Sequence, residues 1–574
     1  MEWIPWFGGL ITDERENLRM PSGSALRAPA PCPVWTVGPW PASEIRTAAA
    51  RQRRVVIFGP CSATEHELCL LAEGRVGDAV LLAFAGSYTV VQSAPDRTTV
   101  WTDVGHAWPI YTAKTRWGTV WGSSALALAA LTDAHPDSSW LAATLLAPHT
   151  PELTAGRSAF AGVSVVPPAS RLVLRRGAPP RVLCGWRPET AGVELAQGAV
   201  RVRRALRDAV ATRIAPIHRP SADCSGGLDS TSLTLLAADQ LPDGRRLHAV
   251  TVHPEGTTTG GDLDYARAAL RTSCNVTHLL CPLAGRHAPF SRMQELMPPT
   301  DEPAPTTIAV ARAVAEFEVL REVGSDCHLT GDGGDTVLGS HPAYLSDLAR
   351  SGQIRLLMRH AIGWARLRRI PVWPVLAEAL RTAATSRRLS SPAAWATRHA
   401  CEIAAETACL AARRDCAHGD LGLGVALTLQ AIQTVGRTAR ADAQVGTHYG
   451  VRLHNPFTDP QVIAACLSVP TWQRHTPYRY KPLLTALWAT SSHRKSRPGA
   501  PRATSHPTTT SVCGRTLQCC TTWPTGTSPR SIWSTCSQHV RSADVGSAIV
   551  IVDTRTGRVE TPITSLVGCS PTGC

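Results

Sequence analysis

Two glycine-rich stretches gather the residues able to handle a phosphate. The first is Ser225-Gly226-Gly227-Leu228-Asp229-Ser230, within residues 221–230 (SADCSGGLDS). It follows a short extended segment and precedes an apolar run, 231–240 (TSLTLLAADQ), that predicts a helix. A strand, a Gly-Gly loop and a helix N-terminus together make an anion cradle. Paired glycines let backbone N–H groups approach closely. The helix end adds unpaired N–H groups and the positive end of its dipole. Ser225 and Ser230 offer hydroxyl donors, and Asp229 offers a carboxylate for magnesium held against phosphate. The pattern predicts a nucleotide pyrophosphate site. It is not the GxxxxGK[ST] loop, because it has no Lys and a different spacing. The alternative is an ordinary Gly-Gly turn.

The second stretch is Gly331-Asp332-Gly333-Gly334-Asp335, after a segment at 326–329 that reads as a strand. Three glycines and two Asp at a strand end fit a second loop of the same site, facing the first. Asp229 and Asp335 then share magnesium, which takes one or two carboxylates and completes its shell with phosphate and water. The alternative is a Gly/Asp surface turn. Lys481, in YRYKPLL, is one of three lysines, with Lys114 and Lys495, beside 55 arginines. A Lys kept where Arg serves almost everywhere points to a need for a compact ammonium. Beside a polyphosphate it would stabilise charge on the leaving group; a solvated surface Lys is the alternative. Asp301-Glu302-Pro303 either lines the acceptor pocket or makes a helix-entry turn. His253, His278 and His454 show no metal-ligand spacing and read as structural.

These loops need strands to carry them. Residues 1–185 read as an α+β domain, with strands at 54–58, 79–91, 98–103, 110–114, 118–122, 160–166 and 171–175. Short helices are predicted at 125–131 and 139–146. A linker at 185–191 leads to an amphipathic helix at 193–213, with apolar Leu195, Val200, Val202, Leu206 and Val210. Then strands at 221, 247–253, 276–281 and 326–329 alternate with helices at 231–240, 262–274 and 306–323. That alternation predicts a parallel, doubly wound sheet with ligands at the carboxyl ends of its strands. From about 343 to 488 the chain reads as helical.

Composition bounds the rest. A chain of 574 residues has room for two to four domains. Net charge is +14, and residues 491–574 supply +6 of it, nine basic less three acidic. The remainder is spread over Arg-rich helical segments such as 355–369, so a nucleic-acid face is not expected. Eighteen cysteines without repeated CxxC spacing make neither a disulfide scaffold nor a metal site. No long apolar run predicts a membrane span, and the opening MEWIPWFGGLITDERE is not a secretory signal. A cytoplasmic enzyme is the expectation.

SGGLDS at 225–230, GDGGD at 331–335, NPFTD at 455–459 and YKPLL at 480–484 together resemble the asparagine synthetase B superfamily over roughly residues 1–488. The resemblance implies a 1–185 domain with an Ntn-glutaminase-like fold and a 192–488 PP-loop synthetase domain, of the adenine-nucleotide α-hydrolase-like α/β class. It implies that ATP adenylates a carboxylate, pyrophosphate leaves, and an amine attacks the acyl-adenylate. Ser225, Gly226, Gly227, Asp229, Ser230 and Gly331 would bind the nucleotide, and Asp229 and Asp335 would hold Mg2+. Asp332 and Lys481 would be catalytic. Asp332 stands where asparagine synthetases have Glu and β-lactam synthetase has Tyr.

Glutamine-dependent members need Cys directly after the initiator Met; position 2 here is Glu2, and Cys32 and Cys61 are internal. The first domain is therefore expected to lack glutaminase chemistry. Trp6-Phe7-Gly8-Gly9, DEPAPTT at 301–307 and TGDGGDTVLGSHPAYLSDL at 330–348 resemble lasso peptide macrolactam synthetases in particular. That resemblance implies a precursor core peptide as substrate, its N-terminal amine as nucleophile and an Asp or Glu side chain as electrophile. It also implies a leader peptidase and a leader-recognition protein as partners. The alternative within the superfamily is an ammonia-dependent asparagine synthetase or another amide-forming member. A tRNA-modifying ATPase and a non-catalytic scaffold are the alternatives outside it.

Past Ala489 the pattern dissolves. Residues 489–538 read as irregular and disordered by composition. Residues 539–563 return to hairpin grammar, and VDTRTG resembles the start of a PqqD-like leader-recognition protein. A frame change near 489 with run-on into a neighbouring gene would produce both features.

Overall fold

Alternating apolar residues build two six-stranded antiparallel sheets in the N-terminal part of this computed structural model. One runs in the order Val163–Val166, Ile110–Thr115, Gly118–Gly122, Trp6–Thr12, Val34–Val37, Ser24–Ala28. The other runs Arg181–Cys184, Ser170–Arg175, Arg97–Trp101, Thr89–Ala94, Arg53–Phe58, Ile45–Ala50. Their inner faces interlock as in other sheet sandwiches. Phe7 of the first stacks on Phe58 of the second, with centroids 3.9 Å apart and planes at 8°. The structure describes residues 4–489 except 13–19, 30–31, 75, 148–152, 190–191, 340, 382–395 and 414–420. The expected irregular stretch from 490 and the hairpin fragment at 539–574 lie outside the described residues.

The strand expected over 79–91 is a short helix, Val80–Ala83, followed by a strand only at Thr89–Ala94. The run around Leu81 lacks two-residue alternation. Gly86 interrupts it at φ +121, packed so closely that a Cβ there would lie 2.0 Å from the Pro60 carbonyl oxygen.

The helix Leu195–Ile214 follows the sandwich. Val202, Leu206 and Val210 recur every four residues and are buried, whereas Val200 faces solvent. The buried stripe shares one core with Leu233 and Leu236 of the helix Leu228–Gln240, and with Leu483, Leu484 and Leu487 of the helix Pro482–Ala489.

Five strands then form a parallel sheet in the order Val276–Leu283, Leu247–Pro254, Pro220–Asp223, Cys327–Leu329, Leu453–His454. The chain winds outward from Pro220–Asp223 through two neighbours on one side. It then returns to place Cys327–Leu329 on the other. The direction of winding therefore switches between the two strands that carry the glycine-rich loops. Such switch points open a crevice at the strand ends.

Asp459 ties the sandwich to this layer. Fully buried, it caps the helix Pro460–Leu467 through the Gln461 N–H at 3.0 Å. It also accepts from the Gly86 N–H at 2.5 Å and from Arg213 Nη1 at 3.2 Å. Arg213 in turn donates to Ser87 Oγ at 2.8 Å. Removing one partner of a buried pair strands the other, so Asp459→Ala is expected to cost about 3–5 kcal/mol of unfolding free energy. Urea denaturation monitored by Trp fluorescence measures it, and Asp459→Asn recovers part, because its single carbonyl oxygen keeps one of the two backbone bonds.

Candidate active site

The loop after Pro220–Asp223 turns at Gly226, φ +77. A Cβ there would meet the Asp262 carbonyl oxygen at 2.4 Å, so only glycine fits. Gly227 caps a helix that begins at Leu228, three residues earlier than its apolar run indicates. Asp229 and Ser230 therefore lie in the first helical turn, where the dipole favours a carboxylate. Ser225 and Gly227 are exposed, open to an incoming anion. The two serine hydroxyls, expected to serve phosphate, bond each other at 2.8 Å. Ser230 Oγ also accepts from the Ser225 N–H at 3.2 Å, and Ser225 Oγ from the Gly227 N–H at 3.3 Å. They brace the loop that presents the backbone donors.

The second loop follows Cys327–Leu329 and packs directly on the first. A Cβ on Gly331 would lie 3.0 Å from the Ser230 nitrogen, and one on Gly334 would lie 2.5 Å from the Asp229 carboxyl carbon. The glycines let the loops touch. Lys481 closes the group. Its ammonium forms ion pairs with Asp229 Oδ2 and, at 2.7 Å, with Asp335 Oδ1. The buried residues Leu483 and Leu484 anchor it from the C-terminal side. Its φ of +41 is a conformation that a side chain adopts at a cost when the surroundings impose it.

Burial pushes the Lys481 pKa down, but the Asp229 and Asp335 carboxylates outweigh it and the net shift is upward. Burial raises the Asp229 pKa against the pull of Lys481. The two carboxylates thus converge on one cation. Asp229 Oδ1 is buried with no hydrogen-bond partner. A point already occupied by a cationic group, with a spare carboxylate oxygen beside it, fits magnesium.

Asp332 is exposed in the second loop. The atoms packed around its carboxyl nonetheless desolvate it. With the Asp223 and Asp442 charges, this raises its pKa to about 6, against a lowering hydrogen bond from Thr330 and the His328 charge. A carboxyl poised near neutrality suits proton acceptance.

Three further residues lie beneath the loops. His328 Nε2 is 3.0 Å from Asp223 Oδ1 and 3.8 Å from Glu316 Oε1. His328 Nδ1 is 2.9 Å from Ser221 Oγ. Their ligand atoms lie within 4.8 Å of one another, close enough for a cation, although a hydrogen bond already joins His328 to Asp223. Sequence reading missed this group. Its signal was polar Asp223 and His328 in strands that a parallel sheet buries on both faces.

Asp301 and Glu302 belong to a helix-entry turn that also binds the sandwich. Asp301 Oδ1 accepts from Ser124 Oγ at 2.6 Å and the Leu126 N–H at 2.9 Å, and Glu302 pairs with Arg437 at 2.7 Å. Asp301 and Glu302 are buried, not open to an acceptor. His253 lies against the Pro254 carbonyl, His278 against Thr251, and partly buried His454 near Glu44.

A model of the asparagine synthase family matches residues 201–496, just over half of the chain. No curated protein matches. Among solved structures, the allosteric regulatory enzyme of purine biosynthesis is 12% identical. That match covers 57% of this chain and 83% of the other, with a TM-score of 0.20. Glutamine phosphoribosylpyrophosphate amidotransferase from B. subtilis, complexed with ADP and GMP, is 12% identical over 52% of this chain and 76% of the other, also at 0.20. Overlaps that slight carry no weight. Among the described residues, no helix is long and apolar enough to cross a membrane.

Proposed function

Since this chain belongs to the asparagine synthase family, and so is an ATP-dependent ligase, we propose that it closes a macrolactam ring in a lasso peptide precursor. The observation that carries the reading is the convergence of Asp229, Asp335 and Lys481 at the switch point, with Asp332 in the same loop as Asp335. A carboxylate does not react with amines at neutral pH. Adenylation first replaces its poor leaving group with AMP. The backbone N–H groups of Ser225–Gly227 would receive the pyrophosphate. Asp229 and Asp335 would hold magnesium, which when bound neutralises the departing charge. Lys481 would stabilise the same charge from the other side.

The core peptide's N-terminal amine then attacks the acyl carbon, the bond to AMP breaks, and the amine proton passes to Asp332. The peptide must be folded before its ends meet, so much of the acceleration is orientation. The stretches DEPAPTT and TGDGGDTVLGSHPAYLSDL support a peptide over free aspartate as substrate. The sandwich is read as a glutaminase-like fold. A leader peptidase and a PqqD-like leader-recognition protein are the partners that would deliver the peptide.

The test is incubation with ATP, Mg2+ and the leader-free linear peptide encoded beside this gene. Loss of one water from the peptide mass, blocked by acetylating its N-terminus, is the expected result. Turnover of free aspartate with ammonia, and none of the peptide, would move the assignment to an asparagine-forming ligase.

A further inference from the structure

We propose that Asp223, Glu316 and His328 form a binding site for one zinc ion, distinct from the magnesium site assigned to Asp229 and Asp335. The proposal does not depend on the ring-closing reading. Among the described residues these are the one group of three His, Cys, Asp or Glu whose ligand atoms come so close, all within 4.8 Å of one another. The backbone builds the group. The strands Pro220–Asp223 and Cys327–Leu329 pair in parallel, with Ser221 opposite His328. Side chains two residues apart share a face of a strand, so Ser221, Asp223 and His328 stand on the same side of the sheet. Glu316 reaches them from the helix Val310–Glu322.

One imidazole proton cannot serve both carboxylates. His328 Nε2 lies 3.0 Å from Asp223 Oδ1, within hydrogen-bond reach, and 3.8 Å from Glu316 Oε1, beyond it. Glu316 Oε1 is buried with no hydrogen-bond partner. A divalent cation takes an oxygen from each carboxylate and the imidazole nitrogen together. Zinc bonds of about 2.0–2.2 Å place tetrahedral ligands about 3.3–3.6 Å apart, and the two distances here straddle that edge. The partner behind the imidazole is also in place. His328 Nδ1 lies 2.9 Å from Ser221 Oγ, which can donate its own proton to the Cys327 carbonyl oxygen at 3.2 Å. The Nδ1–H therefore has an acceptor, and Nε2 can give its lone pair to a metal. An imidazole beside two carboxylates suits zinc better than magnesium or calcium, which take oxygen. His328 is buried, but the Asp223 side chain keeps 31% of its surface exposed, which leaves the ion a way in. Bound there, it pins the helix to the two strands that carry the glycine-rich loops.

Zinc binding to the metal-free full chain, with no ATP or peptide present, tests the proposal. Titration against a chelating indicator, with elemental analysis after gel filtration, is expected to give one zinc per chain. Zinc-edge X-ray absorption of that sample should show nitrogen and oxygen neighbours, imidazole scattering and no sulfur. Ser221→Ala removes only the partner behind the imidazole and is expected to weaken binding about tenfold. Glu316→Gln and His328→Gln each remove a ligand and are expected to weaken it about 100-fold or more. Asp229→Asn, at the magnesium site, should leave the affinity in place. Zinc should raise the melting temperature of the wild type and not that of Glu316→Gln. A chain that takes up no zinc, sulfur in the zinc shell, affinity unchanged in both ligand variants, or affinity lost in Asp229→Asn overturns the proposal. The stoichiometry and the X-ray absorption need only the wild type, should the variants not fold. Absence of ring closure would instead count against the proposed function and leaves these readouts standing.

Discussion

Asp332→Asn is expected to abolish amide formation while ATP–pyrophosphate exchange survives. The side chain sits outside the cluster of Asp229, Asp335 and Lys481 that adenylation uses, so the first half-reaction needs only its space. The second needs its charge, because an attacking amine must shed a proton. Losing a positioned acid–base group costs about 10²–10⁴-fold, and Asn cannot substitute because it accepts no proton. The pH dependence follows with a definite sign. With a pKa of about 6, the carboxyl is ionised above that value and protonated below it. Amide formation should therefore rise through pH about 6 in the wild type, and exchange should lack that limb. Single-turnover formation of product, beside exchange measured across pH, checks both.

The second large effect is Lys481→Met. It removes the ammonium that Asp229 and Asp335 share and leaves two carboxylates facing each other. Stabilisation of the leaving pyrophosphate is lost with it, at about 10²–10³-fold in kcat. Unlike Asp332→Asn, this variant should lower exchange and amide formation together, since both pass through the adenylation step. Lys481→Arg should not rescue it. The guanidinium is wider, and Lys481 is nearly buried between two loops in contact.

Much of this site was legible in the sequence because its parts are local. Glycine pairs, hydroxyls and a following helix are written within ten residues, and the alternation of strands and helices says which strand ends they occupy. The rarity of Lys singled out Lys481, and its contact with Asp229 and Asp335 gives a reason for its retention. What local reading missed depends on distant packing. The strand expected at 79–91 failed because Gly86 must pass within contact of Pro60. Asp301 and Glu302 read as possible pocket residues. Only the folded chain reveals that Ser124 and Arg437 consume them. The Asp223, Glu316 and His328 group went unread for the same reason: its members come from three elements and share no spacing, and only the polar residues in buried strands hinted at it.

The most direct measurement is exchange of labelled pyrophosphate into ATP by the full chain, with Mg2+ and the leader-free linear peptide, beside Asp229→Ala. Peptide-dependent exchange in the wild type that disappears in Asp229→Ala is the predicted result. Absence of exchange with the peptide, or exchange that survives Asp229→Ala, would contradict adenylation of a peptide carboxylate at this site.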